Sequence, residues 1–246
     1  MNFSSDELKN DYSELLEELR EIITNLKGSP ADVYKREEYE GILKELFDDF
    51  KKPTVYNNPF EIKEMARIVN YPYQKTPLSI RGSEIANGRY HVVDGGPRCV
   101  YLSSSEETSI LETRVKQEDI ILNKVLKSPK STFFFNGMLQ NILDIRTEEN
   151  CIEKGISYEL ISEDWQFLNT IYSLKSYTQR LSKMAFDYGY EGLLYKSTKN
   201  NIGYNVVIFT ENLRVDSFIS VIGNDYILED IEPSNRKIVG YLPNVI

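Results

Sequence analysis

SIRGSEIANGRYHVVDGGPRCVYLSSSEETSILE, residues 79–112, is the stretch on which the fold turns. Inside it, Arg98–Ser103 (RCVYLS) predicts a short strand. Ser104-Ser105-Glu106-Glu107 then opens a helix, because Thr108, Ile110, Leu111 and Val115 fall on helical spacing. Just before this pair, Pro77–Arg81 reads as a further strand ending on an arginine. Working outward toward the C-terminus, strands are predicted at Thr132–Phe135, Asn141–Ile145, Gly192–Tyr195 and Asn205–Phe209. The last two flank a polar turn, KSTKNNIGY. Tyr177–Tyr188 predicts a helix with Leu181, Met184, Ala185 and Tyr188 on one face. Residues 147–172 read as short helices and loops, and the tail from 211 is strand-like. The expectation is a mixed α+β domain over 76–246, without internal repeats.

Toward the N-terminus the texture is helical. Over 5–27, Leu8, Tyr12, Leu15, Leu16, Leu19, Ile22, Ile23 and Leu26 recur at steps of three and four, and Gly28 and Pro30 end the run. A second helix over about 33–51 carries Tyr39, Ile42, Leu43, Leu46, Phe47 and Phe50 on one face, and a third, short helix is predicted over about 59–69. Segment 1–70 is therefore expected to be a helical unit. Its apolar stripes suit packing on their own chain first, and a partner second. The charge is uneven as well: residues 1–52 hold 8 basic and 14 acidic side chains, −6 of the chain's −9.

Composition narrows the function. The 246 residues are 41% hydrophobic and 27% charged, ordinary globular values that exclude a wholly disordered chain. No run approaches the roughly 20 apolar residues of a membrane-spanning helix. The opening MNFSSDELKNDY is acidic and has no apolar core of a secretory signal. Two cysteines, Cys99 and Cys151, make no disulfide framework and have no zinc spacing, which fits a reducing cytoplasm and no metal. The net negative charge disfavours general nucleic-acid binding but leaves room for a small phosphate-bearing ligand held by a few local arginines. There is no glycine-rich phosphate loop, HExxH, CxxC or GxSxG, and His91 is the only histidine.

Three segments in order add to this: residues 79–112, the bridge ILDIR at 142–146, and TQRLSKMAFDYGYEGLLYKSTKNNIGYNVVIF at 178–209. Together they resemble the RES family, named for its Arg, Glu and Ser, over roughly 76–212. The resemblance implies an ADP-ribosyltransferase-like fold, NAD+ as substrate, and a toxin that a cognate antitoxin neutralises by covering the active site. Position by position, the family's Arg is matched to Arg81, its Glu to Glu112 and its Ser to Ser197. Its Gly-Arg-Trp is matched to Gly88-Arg89-Tyr90, its strand tyrosine to Tyr101 and a later Asn to Asn205. The sequence departs from the pattern at His91, often Asn in the family, and at Lys196, where proline is common.

The residue types suit the chemistry implied. Arginine presents a planar fork of donors matched to pyrophosphate oxygens, a task for Arg81 and Arg89. Cleaving the nicotinamide–ribose bond builds positive charge on the ribose, and a carboxylate such as Glu112 stabilises it. Nicotinamide leaves as a neutral base, so no second carboxyl is needed to protonate it. Tyr101 is expected to stack on nicotinamide or bond the ribose. Ser197 is expected to bind phosphate or the nicotinamide amide, and Asn205 to assist. Transfer of ADP-ribose onto a protein, a non-catalytic binding module, homo-oligomerisation and the role of 213–246 are all left open.

Overall fold

The computed structural model describes residues 15, 17–19, 21–22, 33–48, 50, 58–113 and 130–223. Its centre is a strand with no polar interruption after its first two residues, Tyr204–Phe209 (YNVVIF). Val207 and Phe209 bury on one face of it, Val206 and Ile208 on the other. A strand apolar on both faces must be covered on both, and this one lies inside a seven-stranded sheet. In chain order the elements are α1 (Val33–Asp48), β1 (Phe60–Asn70), α2 (Arg81–Ile85), β2 (Cys99–Ser103), α3 (Glu106–Thr113), β3 (Lys130–Leu139), β4 (Ile142–Asp144), α4 (Glu148–Lys154), α5 (Trp165–Tyr172), α6 (Tyr177–Asp187), β5 (Gly192–Lys196), β6 (Tyr204–Phe209) and β7 (Phe218–Val221). Across the sheet the strands run β4-β5-β6-β2-β1-β3-β7. The β4–β5 pair is parallel and the other pairs are antiparallel. The protein is thus α+β with a mixed sheet.

Helices α1 and α6 cover one face. Leu43, Leu46 and Phe47 of α1 are buried with Tyr177 and Leu181 of α6 and with Leu193 and Val207 of the sheet. Phe47 stacks on Tyr177 at 4.7 Å, and Phe50 on Tyr188 at 5.4 Å. Arg180 of α6 pairs with Glu40 of α1. The apolar stripe of the second predicted helix therefore packs on its own chain. Of the first, positions 15, 17–19 and 21–22 are helical, with Leu19 and Ile22 in the same core; the rest of it lies outside the described residues, as does 224–246.

Two expectations are corrected. Residues 60–70 form β1, the longest strand among the described residues, instead of a third helix. A bulge explains the misreading. The β1–β3 register shifts between Ile62 and Met65, and Glu64 takes a φ of 49° with its N–H donating to Asn136 Oδ1. The extra residue breaks the alternation of apolar and polar positions by which a strand is recognised. The second correction concerns Pro77–Arg81. It is a turn leading into α2, and Arg81 is that helix's first residue, so it ends no strand.

Helix α6 also positions the site. Ser176 and Gln179 form a capping box at its start. The Gln179 side chain goes further, donating from Nε2 to the carbonyl of Gly88 at 2.9 Å. Ser182 of the same helix donates to the carbonyl of Tyr90. The turn Gly88–His91 is thereby fastened to a helix packed on the core.

Candidate active site

A cleft of about 610 Å³ opens beside β2, β6 and β5, within the range of small-ligand pockets. Register places its floor. Ser103 of β2 lies opposite Asn205 of β6, which lies opposite Tyr195 of β5. All three line the cleft, with Tyr101 two residues from Ser103 on the same face.

Glu112 enters from the last turn of α3. Its Oε1 accepts from Ser197 Oγ at 2.7 Å and from Asn205 Nδ2 at 2.8 Å. Ser197 Oγ in turn accepts the N–H groups of Lys199 and Asn200, so its single proton is directed at the carboxylate. The loop carrying Ser197 is locked to α3: Asn200 Nδ2 donates to Thr108 Oγ1 at 2.9 Å, and a Cβ on Gly203 would lie 2.3 Å from that same oxygen. Thr108 is one turn before Glu112, so α3 and the loop orient the two ends of the Ser197–Glu112 bond together. Oε2 of Glu112 makes no hydrogen bond among the described residues, and the residue lines the cleft.

Arg89 sits in the turn Gly88-Arg89-Tyr90-His91, closed by Gly88 N–H donating to His91 O at 3.0 Å. Glycine is required at its start, since a Cβ there would lie 2.4 Å from His91 Cε1. Arg89 Nη1 donates to Ile161 O at 2.7 Å, and Nη2 lies 3.5 Å from Thr198 Oγ1. The guanidinium therefore bridges the two walls of the cleft.

Tyr101 lines the cleft, and its hydroxyl bonds within the protein. His91 Nε2 lies 2.7 Å from the Ala86 carbonyl, which fixes the proton on Nε2. Nδ1 is then the acceptor, 2.8 Å from the Tyr101 hydroxyl, which also accepts from Tyr90 N–H at 3.3 Å. Burial lowers the His91 pKa, with the bond to Ala86 opposing, and burial raises that of Tyr101. A neutral histidine thus holds the hydroxyl of a neutral tyrosine, the group that one of the two expectations for Tyr101 gave to the ribose. Ser197 likewise spends its hydroxyl proton on Glu112. Asn205, expected only to assist, holds the same oxygen of Glu112 as Ser197 does.

Arg81 does not join these residues. It is exposed at the start of α2 and does not line the cleft. Arg67 of β1 does. Arg67 Nη2 donates to Ser79 O at 3.0 Å, while its buried Nη1 has no partner among the described residues. Burial lowers the Arg67 pKa to about 10, leaving it cationic at neutral pH. An unsatisfied buried guanidinium donor is costly and suits an anionic ligand that completes it. The signal was present as an arginine among apolar residues, Met65-Ala66-Arg67-Ile68-Val69, but the bulge hid the strand.

The far wall adds Glu163. Its Oε2 accepts the N–H of Tyr177, the first residue of α6, at 3.0 Å. Burial pushes its pKa up to about 7, with that bond, Tyr39 and Arg89 pulling the other way. Among the described residues no three His, Cys, Asp or Glu side chains gather as metal ligands would.

The model of the RES domain matches residues 64–224, about two thirds of the chain. The chain belongs to the RES family. Both Arg67 on β1 and the Glu112 constellation fall inside the RES match, as do residues 64–70 of β1, a strand whose periodicity reads as part of the helical segment. Among solved structures, a chain of the M. tuberculosis MbcT–MbcA toxin–antitoxin complex is similar to this RES protein, with a TM-score of 0.47 and 14% identity, covering 77% of this chain and 96% of that one. No curated protein matches the chain.

Proposed function

We propose that this RES protein is an NAD+-consuming toxin that breaks the nicotinamide–ribose bond. The observation that carries the reading is the Glu112 carboxylate, held through Oε1 by Ser197 and Asn205 at a cleft that also contains Arg67 and Arg89. Arg67 and Arg89 grip the pyrophosphate, and the Tyr101 ring flanks the nicotinamide. As the C–N bond breaks, its electron pair leaves with nicotinamide and positive charge develops at the ribose carbon. Glu112 Oε2 stabilises that charge as it forms, being already oriented and needing no reorganisation. Water or inorganic phosphate then adds to the sugar carbon; with water, one proton is released and ADP-ribose results. Cells would lose NAD+ and stop growing. An antitoxin protein that covers the cleft would neutralise this.

The test is purified protein incubated with NAD+, with free nicotinamide measured for the parent, Glu112→Ala and Arg67→Ala. Release by the parent, lowered at least ~100-fold in Glu112→Ala, supports the reading. Label appearing on protein would move it to ADP-ribosyl transfer. Equal activity in all three, or none in the parent beside unchanged toxicity of Glu112→Ala, would sink it and favour a binding module.

A further inference from the structure

Glu112 and Arg89 account for part of the cleft. A further stretch of its lining is the run Ser162, Glu163, Asp164, Trp165 and Gln166. Contacts link the groups in a series. Glu112 meets Ser197; the next residue, Thr198, faces Arg89; and Arg89 holds Ile161 O at 2.7 Å. The segment carrying Trp165 follows Ile161 in the chain. The linked groups are thus a carboxylate, a guanidinium and the segment that bears the indole. A dinucleotide presents a matching order: the scissile ribose, the pyrophosphate, then the second base.

Trp165 is the chain's one tryptophan. Its side chain is half-buried, lines the cleft and has no stacking partner or hydrogen bond among the described residues. The backbone beneath it is fixed on three sides. Asp164 caps α5 by accepting from Phe167 N–H at 3.1 Å, Glu163 accepts from Tyr177 N–H, and Leu168, one turn on, is buried in the core. An indole on a fixed rim gains contact with little ordering cost. The carboxylate of Asp164 beside it makes the rim a poor seat for a further phosphate, while an uncharged base meets no repulsion there.

We infer that Trp165 is the stacking platform for the adenine of the dinucleotide, so that substrate is gripped at the base farthest from the broken bond. This rests on NAD+ being the substrate. It makes Trp165 a binding residue whose contacts are alike in ground and transition states, which sets KM and leaves kcat nearly unchanged. Stacking on an aromatic side chain commonly changes affinity by about 5- to 100-fold.

The single tryptophan makes the test direct. ADP-ribose, AMP and nicotinamide mononucleotide are titrated into the full-length parent while tryptophan emission is followed. Trp165→Ala and Trp165→Phe are then compared with the parent in NAD+ turnover. Saturable quenching by ADP-ribose and AMP but not by nicotinamide mononucleotide is expected. Trp165→Ala should raise KM at least 5-fold with kcat within about threefold, and Trp165→Phe should restore most of the loss. Emission unchanged by saturating ADP-ribose, or an unaltered KM in Trp165→Ala, overturns the platform while NAD+ turnover by the parent stands. A parent that quenches with ADP-ribose yet consumes no NAD+ keeps the platform and overturns the proposed function instead.

Discussion

Replacing Glu112 by Gln isolates the charge from the geometry. The amide oxygen of Gln can still accept from Ser197 Oγ and Asn205 Nδ2, the two bonds that hold Oε1 at 2.7 and 2.8 Å. The α3 helix, the Ser197 loop and the cleft should therefore keep their shape. What disappears is a negative charge beside the developing ribosyl cation. Two unit charges about 4 Å apart interact by roughly 1 kcal/mol in bulk water and roughly 4 kcal/mol at an effective dielectric of 20. A cleft occupied by substrate lies nearer the second value, because the ligand displaces water from around Oε2. At about 1.4 kcal/mol per factor of ten, kcat should fall about 100- to 1,000-fold. The assay is single-turnover nicotinamide release with protein in excess over NAD+, alongside a thermal melt. The expected pair of results is a large loss of rate with Tm within about 2 °C of the parent. A variant as well folded as the parent and within threefold of its rate would refute electrostatic stabilisation by Glu112.

Arg67→Ala and Arg81→Ala form a contrasting pair: the cleft arginine should cost at least about tenfold in kcat/KM for NAD+, and the exposed one on α2 should cost less than twofold, measured by initial rates. Gly88→Ala drives a methyl into the His91 ring, 2.4 Å from Cε1, so the turn must shift; both Tm and turnover should drop, with Tm falling by several degrees in a thermal melt. Glu163 titrates near 7 in the folded protein and near 4.5 when unfolded. A folded pKa above the unfolded one means that the native state holds the extra proton between these values. Its contribution is therefore fully present below about 4.5 and is lost as pH rises through about 7. Across that window the Tm of the parent should decline relative to Glu163→Gln. A difference in Tm that is flat with pH would argue against the buried proton.

Much of the site was legible through the resemblance to the RES family, whose motif here is local. Gly88-Arg89-Tyr90, Tyr101 and Glu112 lie within 25 residues, on a turn, a strand and a helix whose boundaries follow from glycine, apolar run and helical spacing. The roles were less legible than the positions. Whether the Tyr101 hydroxyl faces a ligand depends on His91, and whether Ser197 binds substrate depends on Glu112, 85 positions away. Such choices between partners are made by packing, which one-dimensional spacing does not contain.

The amino-acid order alone settled the α+β class and apolar strands near 98–103 and 205–209, because side-chain periodicity and turn chemistry act over a few residues, while Glu112 was singled out by the resemblance to the RES family. It could not settle which arginine beyond Arg89 lines the cleft with that glutamate. Arg81 and Arg67 are both near-N-terminal cations beside apolar residues, and only the bulged pairing of β1 between β2 and β3 turns Arg67 into the cleft. Register between strands is a long-range property, fixed when the sheet closes over its core, and so the tertiary structure alone decided that β1 adds a second cation, Arg67, beside Arg89.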